Sequence, residues 1–300
     1  MNRSQIYVIS ATLGFSFILI FSTVLKNTGM SSFEQLFFRL IFSIFILLSM
    51  TAYKRRLSLA KWNDVPFFVA IGFTYAFFAL SGLSAIAFGT PIAVSVALVY
   101  TQPIFTALIS FATRKERVSI ANAAVVLVGV MGAFLVSGLS AADPQISLGI
   151  VFPIVAGFLY AVYLWLKRRA PISEYTPFQV LFNTFLFAIP VLVAAWVIFG
   201  NFSDEPLFTG FLAPDLQQMA LLFLFALFST VLPYGLLNYV KVKEVSPTTE
   251  GMLLLGDPLL HTLWATLFFR QYISVIQYIG GGLILVSAAI NLRLTAKGTG

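Results

Sequence analysis

The sequence contains no cysteine and only one histidine, His261. Disulfide bonds, thiolate metal sites and metal centres built from several histidines are therefore excluded. Charge is also scarce, because charged residues make up 10% of the 300 positions and apolar residues 59%. A soluble fold would need more polar residues to cover its surface, and a disordered chain would contain fewer apolar ones. The composition predicts an all-α integral membrane protein that has the lipid bilayer as its surroundings, binds no nucleic acid and needs no cofactor.

Ten apolar stretches have about the 20 residues that are needed to cross a hydrocarbon core of about 30 Å. The loops between them are short and leave no room for a soluble domain. The predicted spans lie near 6–25, 33–53, 65–88, 91–112, 119–138, 147–167, 176–199, 217–240, 247–269 and 273–292.

The basic residues predict how these spans are oriented. Of the 18 Lys and Arg residues, 15 lie on one side of the predicted membrane, whereas only Lys26 and Arg270 lie on the other and Arg39 lies within the second span. Because basic loops stay in the cytoplasm, the side with 15 is predicted to be cytoplasmic. Both termini then face the cytoplasm, in a bacterial inner membrane or a plasma membrane.

The two halves of the chain resemble each other. FEQLF at 33–37 matches FQVLF at 178–182, and Pro103 precedes Ser119 by the same 16 residues that separate Pro258 from Ser274. Since five spans per half is an odd number, the halves must enter the membrane in opposite directions. The sequence predicts two inverted five-helix repeats, 1–145 and 146–300, an architecture typical of secondary transporters with a site at the midplane.

With these features the chain resembles the drug/metabolite transporter superfamily in its EamA-type form. The resemblance covers essentially the whole chain and is carried by the ten spans and five local features. These are Lys26 at the end of the first span, Arg39 in FFR at 37–39, the pairs Gln102-Pro103 and Asp257-Pro258, and ERVS at 116–119. It implies a carrier in the inner or plasma membrane, often an exporter of amino acids or other metabolites.

The ninth span carries three ionisable residues, Glu250, Asp257 and His261. Groups of this kind are costly inside a membrane and usually serve function. In a continuous helix their spacings of seven and four place them on one face, and Asp257 lies about 15 Å deep at 1.5 Å per residue. The fourth span repeats these spacings with neutral polar residues, which are Ser95, Gln102 and Thr106. Both spans are therefore predicted to line a substrate site, in which Asp257 and His261 bind an ammonium group or carry a proton.

Two prolines are predicted to interrupt the same spans. Pro103 and Pro258 remove the hydrogen bonds to the carbonyls of Val99 and Leu254, and such carbonyls need a partner or a wet cavity at mid-membrane. Weaker candidates for the pocket lining are Tyr160, Tyr163, Trp165, Asn183, Tyr234, Asn238 and Trp264. Arg39 is assigned to packing or pairing with Glu34 rather than to substrate contact.

The sequence therefore predicts a monomeric secondary transporter, not an enzyme, that moves a small polar metabolite by alternating access. An amino acid or amine-bearing compound fits the acidic site face best, with export as the expected direction. An intramembrane enzyme would need a third partner beside the Asp257 and His261 pair, and a channel would favour rings of like charge in a symmetric oligomer. A flippase for a lipid or lipid-linked precursor stays open as the alternative.

Overall fold

The structure is a computed structural model of the 300-residue chain. It describes residues 2–53, 59–87, 98–113, 120–136, 148–169, 174–200, 213–241, 243–270 and 272–297. The described parts consist mainly of α-helices, and no β-strand occurs within them. The helices are α1 (Arg3–Phe15), α2 (Ile18–Asn27), α3 (Ser32–Tyr53), α4 (Val65–Ala87), α5 (Gln102–Ala112), α6 (Ile120–Val136), α7 (Val151–Leu166), α8 (Pro177–Gly200), α9 (Leu216–Ala226), α10 (Leu232–Asn238), α11 (Pro247–Leu254), α12 (Gly256–Phe269) and α13 (Val275–Lys297).

Seven helical segments are long and apolar enough to cross a membrane. They are Arg3–Asn27, Ser32–Met50, Trp62–Gly82, Pro177–Ile198, Leu216–Asn238, Pro247–Phe268 and Val275–Leu294. Three shorter apolar helices, α5, α6 and α7, coincide with the fourth, fifth and sixth predicted spans. The all-helical membrane fold is thus confirmed, and the count of ten spans stays a prediction.

Several spans are built from two helical pieces. The first is divided at Ser16–Phe17 between α1 and α2, and the ninth at Leu255 between α11 and α12. In the eighth, a π-helical turn at Leu227–Val231 joins α9 to α10 just before Pro233. Such a turn widens the helix where proline removes a backbone donor. Hydropathy alone did not predict the divisions of the first and eighth spans.

The helices pack into a bundle with apolar side chains on both its inside and its outside. α4 lies against α7 and α8, while α1 lies against α10, α11 and α12. α13 packs along α6 through an apolar cluster that includes Val130 and Ile284. Large apolar side chains such as Phe45, Leu127 and Leu285 are exposed on the outer surface. Exposed apolar area on this scale is what contact with lipid requires.

Candidate functional site

The Gln102-Pro103 and Asp257-Pro258 pairs both lie where a span is interrupted. α5 begins at Gln102, directly after a turn in which Thr101 donates from its amide and its hydroxyl to the Leu98 carbonyl, at 3.1 and 2.6 Å. α12 begins at Gly256, one residue before Asp257. Each proline therefore occupies the first turn of a new helix, where its missing N–H leaves no broken bond.

This interruption bears on one expectation from the sequence. The prediction that Glu250, Asp257 and His261 share one face assumed a single continuous helix. In the structure Glu250 lies on α11, whereas Asp257 and His261 lie on α12 beyond the break. Glu250 forms its ion pairs with Lys167 and Arg168 after α7, and Asp257 forms its contact with His261.

Asp257 and His261 form a buried pair on α12. The Asp257 Oδ2 atom lies 3.6 Å from His261 Nδ1, and their side chains are 8% and 11% exposed. Within the described ranges, neither Asp257 Oδ1 nor His261 Nε2 has a hydrogen-bond partner. A carboxyl group this deeply buried is costly unless a proton or a cation accompanies it. The pair can therefore bind an ammonium group or exchange a proton.

Gln102 and Thr106 are brought together where α5 meets α11. Gln102 is fully buried, and its Nε2 donates to Thr106 Oγ1 at 2.5 Å. A Cβ atom on Gly251 would lie 3.2 Å from the same Nε2, so the glycine allows the two spans to approach here. The Gln102 Oε1 atom is buried and accepts no hydrogen bond from any described residue. Ser95, the third polar residue predicted in this span, lies outside the described residues.

Trp264 faces the interruption of the first span. Its Nε1 donates to Ser16 Oγ at 2.7 Å, and its ring stacks on Phe17 with 5.0 Å between centroids. Trp264 therefore connects the helix that carries Asp257 to the junction of α1 and α2. The indole N–H of Trp264 therefore already has a hydrogen-bond acceptor within the protein.

Glu250 is the anionic centre of a buried ion cluster. Lys167 Nζ donates to one carboxylate oxygen and Arg168 Nη2 to the other, and the three side chains are at most 4% exposed. The same cations donate to the carbonyls of Leu237 and Val245 at 3.1 and 3.0 Å. In this conformation Glu250 is neutralised by the protein, so the predicted anionic face consists of Asp257 alone.

Sequence reasoning missed the two partners of Glu250. Lys167 and Arg168 were assigned only to membrane orientation, because they follow the sixth span as the positive-inside rule expects. The signal that could have found them was Glu250 itself, since a carboxylate near the end of a span needs a cation.

Tyr163 and Tyr234 belong to a cluster of four buried tyrosines in the middle of the bundle. Tyr75 of α4 lies 5.8 Å from Tyr163 of α7 and 5.3 Å from Tyr234 of α10, measured between ring centroids. The Tyr163 and Tyr234 rings lie 5.9 Å apart, and Tyr160 lies 6.4 Å from Tyr163. We call these four residues the tyrosine cluster. Tyr160, Tyr163 and Tyr234 were predicted as candidates for the pocket lining, whereas Tyr75 was not, because nothing in the sequence of the third span distinguishes it.

Asn183 is positioned away from these groups. It is fully buried on α8, where its Oδ1 accepts from the Ala60 amide at 2.9 Å and its Nδ2 donates to the Gln179 carbonyl at 2.9 Å. The bond from Ala60 attaches the loop before α4 to α8, and the bond to Gln179 lies within α8. They leave Asn183 with a role in the packing of the loop.

Comparisons with known proteins agree with this architecture. The model of the EamA-like transporter family matches the chain twice, over residues 2–138 and 147–293. The chain belongs to the EamA-like transporter family. It is also similar to an "Uncharacterized transporter" of Archaeoglobus fulgidus, with 26% identity over 204 residues that cover 68% of each chain.

A solved structure described as "Crystal structure of protein" has the same fold. It superposes with a TM-score of 0.79 over 99% of both chains, at 17% identity. At this identity the likeness concerns the fold alone. Family membership and the apolar helices make the protein a multi-pass membrane protein with a general transport role.

Proposed function

We propose that this EamA-like transporter moves an amino acid or another amine-bearing metabolite out of the cell by alternating access. In this proposal ten spans form two inverted five-helix repeats that divide near residue 145, and a monomer with both termini in the cytoplasm is the working unit. The double match of the family model supports two related halves. The meeting of α5 and α11 at Gln102 supports a site between the fourth and ninth spans.

The observation that carries the substrate class is the environment of Asp257. Its side chain is buried, its nearest charged or titratable partner in the described part of the chain is His261, and one carboxylate oxygen has no partner there. Glu250, in contrast, already has two cations. A carboxylate that lacks a cation of its own in a membrane protein is suited to receive one from a solute.

The test is transport by proteoliposomes that contain the wild type or Asp257→Asn, with a panel of labelled amino acids and amines. Asparagine keeps the size of the side chain but loses its charge. A hydrogen bond to a charged group contributes about 1.5–3 kcal/mol, so we expect flux at low substrate concentration to fall about tenfold or more.

Asp215→Asn is the matched control. Asp215 caps α9 by accepting from the Gln218 amide at 2.8 Å, and asparagine caps helices equally well. Its flux should equal that of the wild type. Wild-type flux in a well-folded Asp257→Asn protein would overturn the amine proposal, and movement of fluorescent lipids without any amine would favour the flippase.

A further inference from the structure

We propose that Arg39, Tyr75 and Tyr234 form a binding site for a carboxylate group on the transported solute. This inference rests on the proposed transport of a small metabolite, and it adds a second recognition group that is distinct from Asp257. The three residues lie on α3, α4 and α10 and are brought together at one end of the tyrosine cluster.

Arg39 has an unusual environment for a basic residue in a membrane span. Its guanidinium carbon lies 4.7 Å from the centroid of the Phe225 ring, and its Nε atom is buried without a hydrogen-bond partner in the described structure. None of the ion pairs formed among the described residues includes it. A guanidinium that serves only packing would be expected to pair with a carboxylate or to reach the membrane surface.

The Tyr75 phenol faces both this guanidinium and the Tyr234 phenol, and the centroids of the two tyrosine rings lie 5.3 Å apart. Tyr75 is fully buried, and its hydroxyl faces Arg39 and Tyr234 but forms no hydrogen bond of normal geometry within the described structure. A buried hydroxyl without a good partner is destabilising, and phenylalanine would fill the same space without that penalty. Since the chain uses phenylalanine at 32 other positions, the hydroxyl at Tyr75 indicates a polar ligand.

The convergent groups determine the class of that ligand. A guanidinium has five donors and no acceptor, and its planar fork matches the two oxygens of a carboxylate. A phenol hydroxyl can donate to the same oxygens. A phosphate dianion would need a second cation, and the buried cations Lys167 and Arg168 are already paired with Glu250. One guanidinium with two phenols therefore favours a monoanionic carboxylate.

The proposed site lies at one end of a line of tyrosine hydroxyls inside the bundle. From Tyr75 and Tyr234 the tyrosine cluster continues to Tyr163, which lies one helical turn before Lys167, the partner of Glu250. Polar hydroxyls thus extend from the Arg39 end of the bundle to the ion cluster at the end of α7. A solute held by its carboxylate at Arg39 would meet these hydroxyls next.

The experiment measures whether propionate stabilises the purified full-length protein. The midpoint of thermal denaturation is followed in detergent by size-exclusion chromatography, with propionate or chloride at equal ionic strength. A ligand that binds only the folded state raises this midpoint. We expect propionate to raise it in the wild type and in Tyr160→Phe, and to lose this effect in Tyr75→Phe and Arg39→Gln.

Tyr160→Phe is the matched control because Tyr160 belongs to the same cluster but stacks on Phe78, with 4.6 Å between centroids. General effects of the salt are the same in both tyrosine variants and cancel in their comparison. If Arg39→Gln fails to fold, Tyr75→Phe still decides the outcome. The proposal is overturned if propionate does not stabilise the wild type, or if it stabilises Tyr75→Phe equally.

The outcome is separable from that of the amine proposal. Asp257→Asn should keep the full response to propionate, because Asp257 is not part of the carboxylate site. Stabilisation by propionate together with unchanged amine flux in Asp257→Asn would leave the carboxylate site standing and remove the amine site. No stabilisation by propionate, together with a loss of amine flux in Asp257→Asn, would remove the carboxylate site and leave the amine site standing.

Discussion

Replacing Glu250 with glutamine distinguishes two interpretations of this carboxylate. It is either the anion of a buried ion cluster or a charge that is solvated at the end of its span. In the structure both oxygens of this carboxylate accept from cations, and its side chain is 1% exposed. Glutamine has nearly the same shape and can still accept one hydrogen bond. It leaves Lys167 and Arg168 side by side, however, with no anion between them.

The expected effect follows from the burial of all three groups. Removal of one partner from a buried ion pair typically destabilises a protein by about 3–5 kcal/mol, since the remaining charge is left without compensation. Lys167 can release its proton, but Arg168 cannot, so at least one uncompensated charge persists. We therefore expect Glu250→Gln to lower the free energy of unfolding by an amount in that range, measured by titration with sodium dodecyl sulfate in mixed micelles.

The control is a second ion pair in the same protein. Lys61 Nζ lies 2.5 Å from Glu174, but these side chains are 65% and 58% exposed. Exposed pairs contribute little to stability, so Glu174→Gln should unfold together with the wild type. The reasoning would be refuted if Glu250→Gln also unfolded at the wild-type detergent fraction, because the carboxylate would then be solvated.

Three further predictions concern packing, coupling and orientation. Gly280→Ala should destabilise the protein by about 1–3 kcal/mol, the usual range for overpacking, because the new Cβ atom would lie 2.6 Å from a backbone oxygen. Gly282→Ala should leave stability unchanged, because a Cβ atom there meets open space. Unfolding in detergent measures both variants. Wild-type flux in proteoliposomes should be equal with and without an inward proton gradient, and accumulation that is driven by the gradient and lost in His261→Gln would show proton coupling instead. A cysteine at Ala142 should react with an impermeant thiol reagent from outside and one at Ser58 should not; the reverse labelling would reject the orientation.

The sequence was sufficient to predict the membrane fold because the hydrocarbon core imposes one length and one composition on every span. The interruption at Asp257 could also be expected, since proline removes a specific backbone bond. The direction in which each polar side chain of this span faces could not be predicted from the sequence. The ninth span is divided at Leu255, and the separate partners of Glu250 and Asp257 on the two sides of this division could not be predicted from one helical period.

Contacts between distant helices were the least predictable part of the site. The pairing of Trp264 with Ser16 joins residues 248 positions apart, and neither side chain carries a charge that would demand a partner. The same holds for Tyr75, whose importance depends on the neighbours that α3 and α10 provide. A charged residue in a span, by contrast, indicates that an opposite charge must lie close to it, as Lys167 and Arg168 lie close to Glu250.

The seam between α6 and α13 has a consequence for the motion. A Cβ on Gly129 would lie 2.7 Å from Ser287, and one on Gly132 would lie 3.0 Å from Ile284. The offset of 155 positions that relates Pro103 to Pro258 also relates Gly129 to Ile284 and Gly132 to Ser287. The relation between the two halves therefore converts the Gly129–Ser287 contact into the Gly132–Ile284 contact. The two halves contribute equivalent residues to this seam. If the two halves exchange conformations as the proposed alternating access requires, we expect this seam to keep the same contacts, so that the opening and closing occur among the remaining helices.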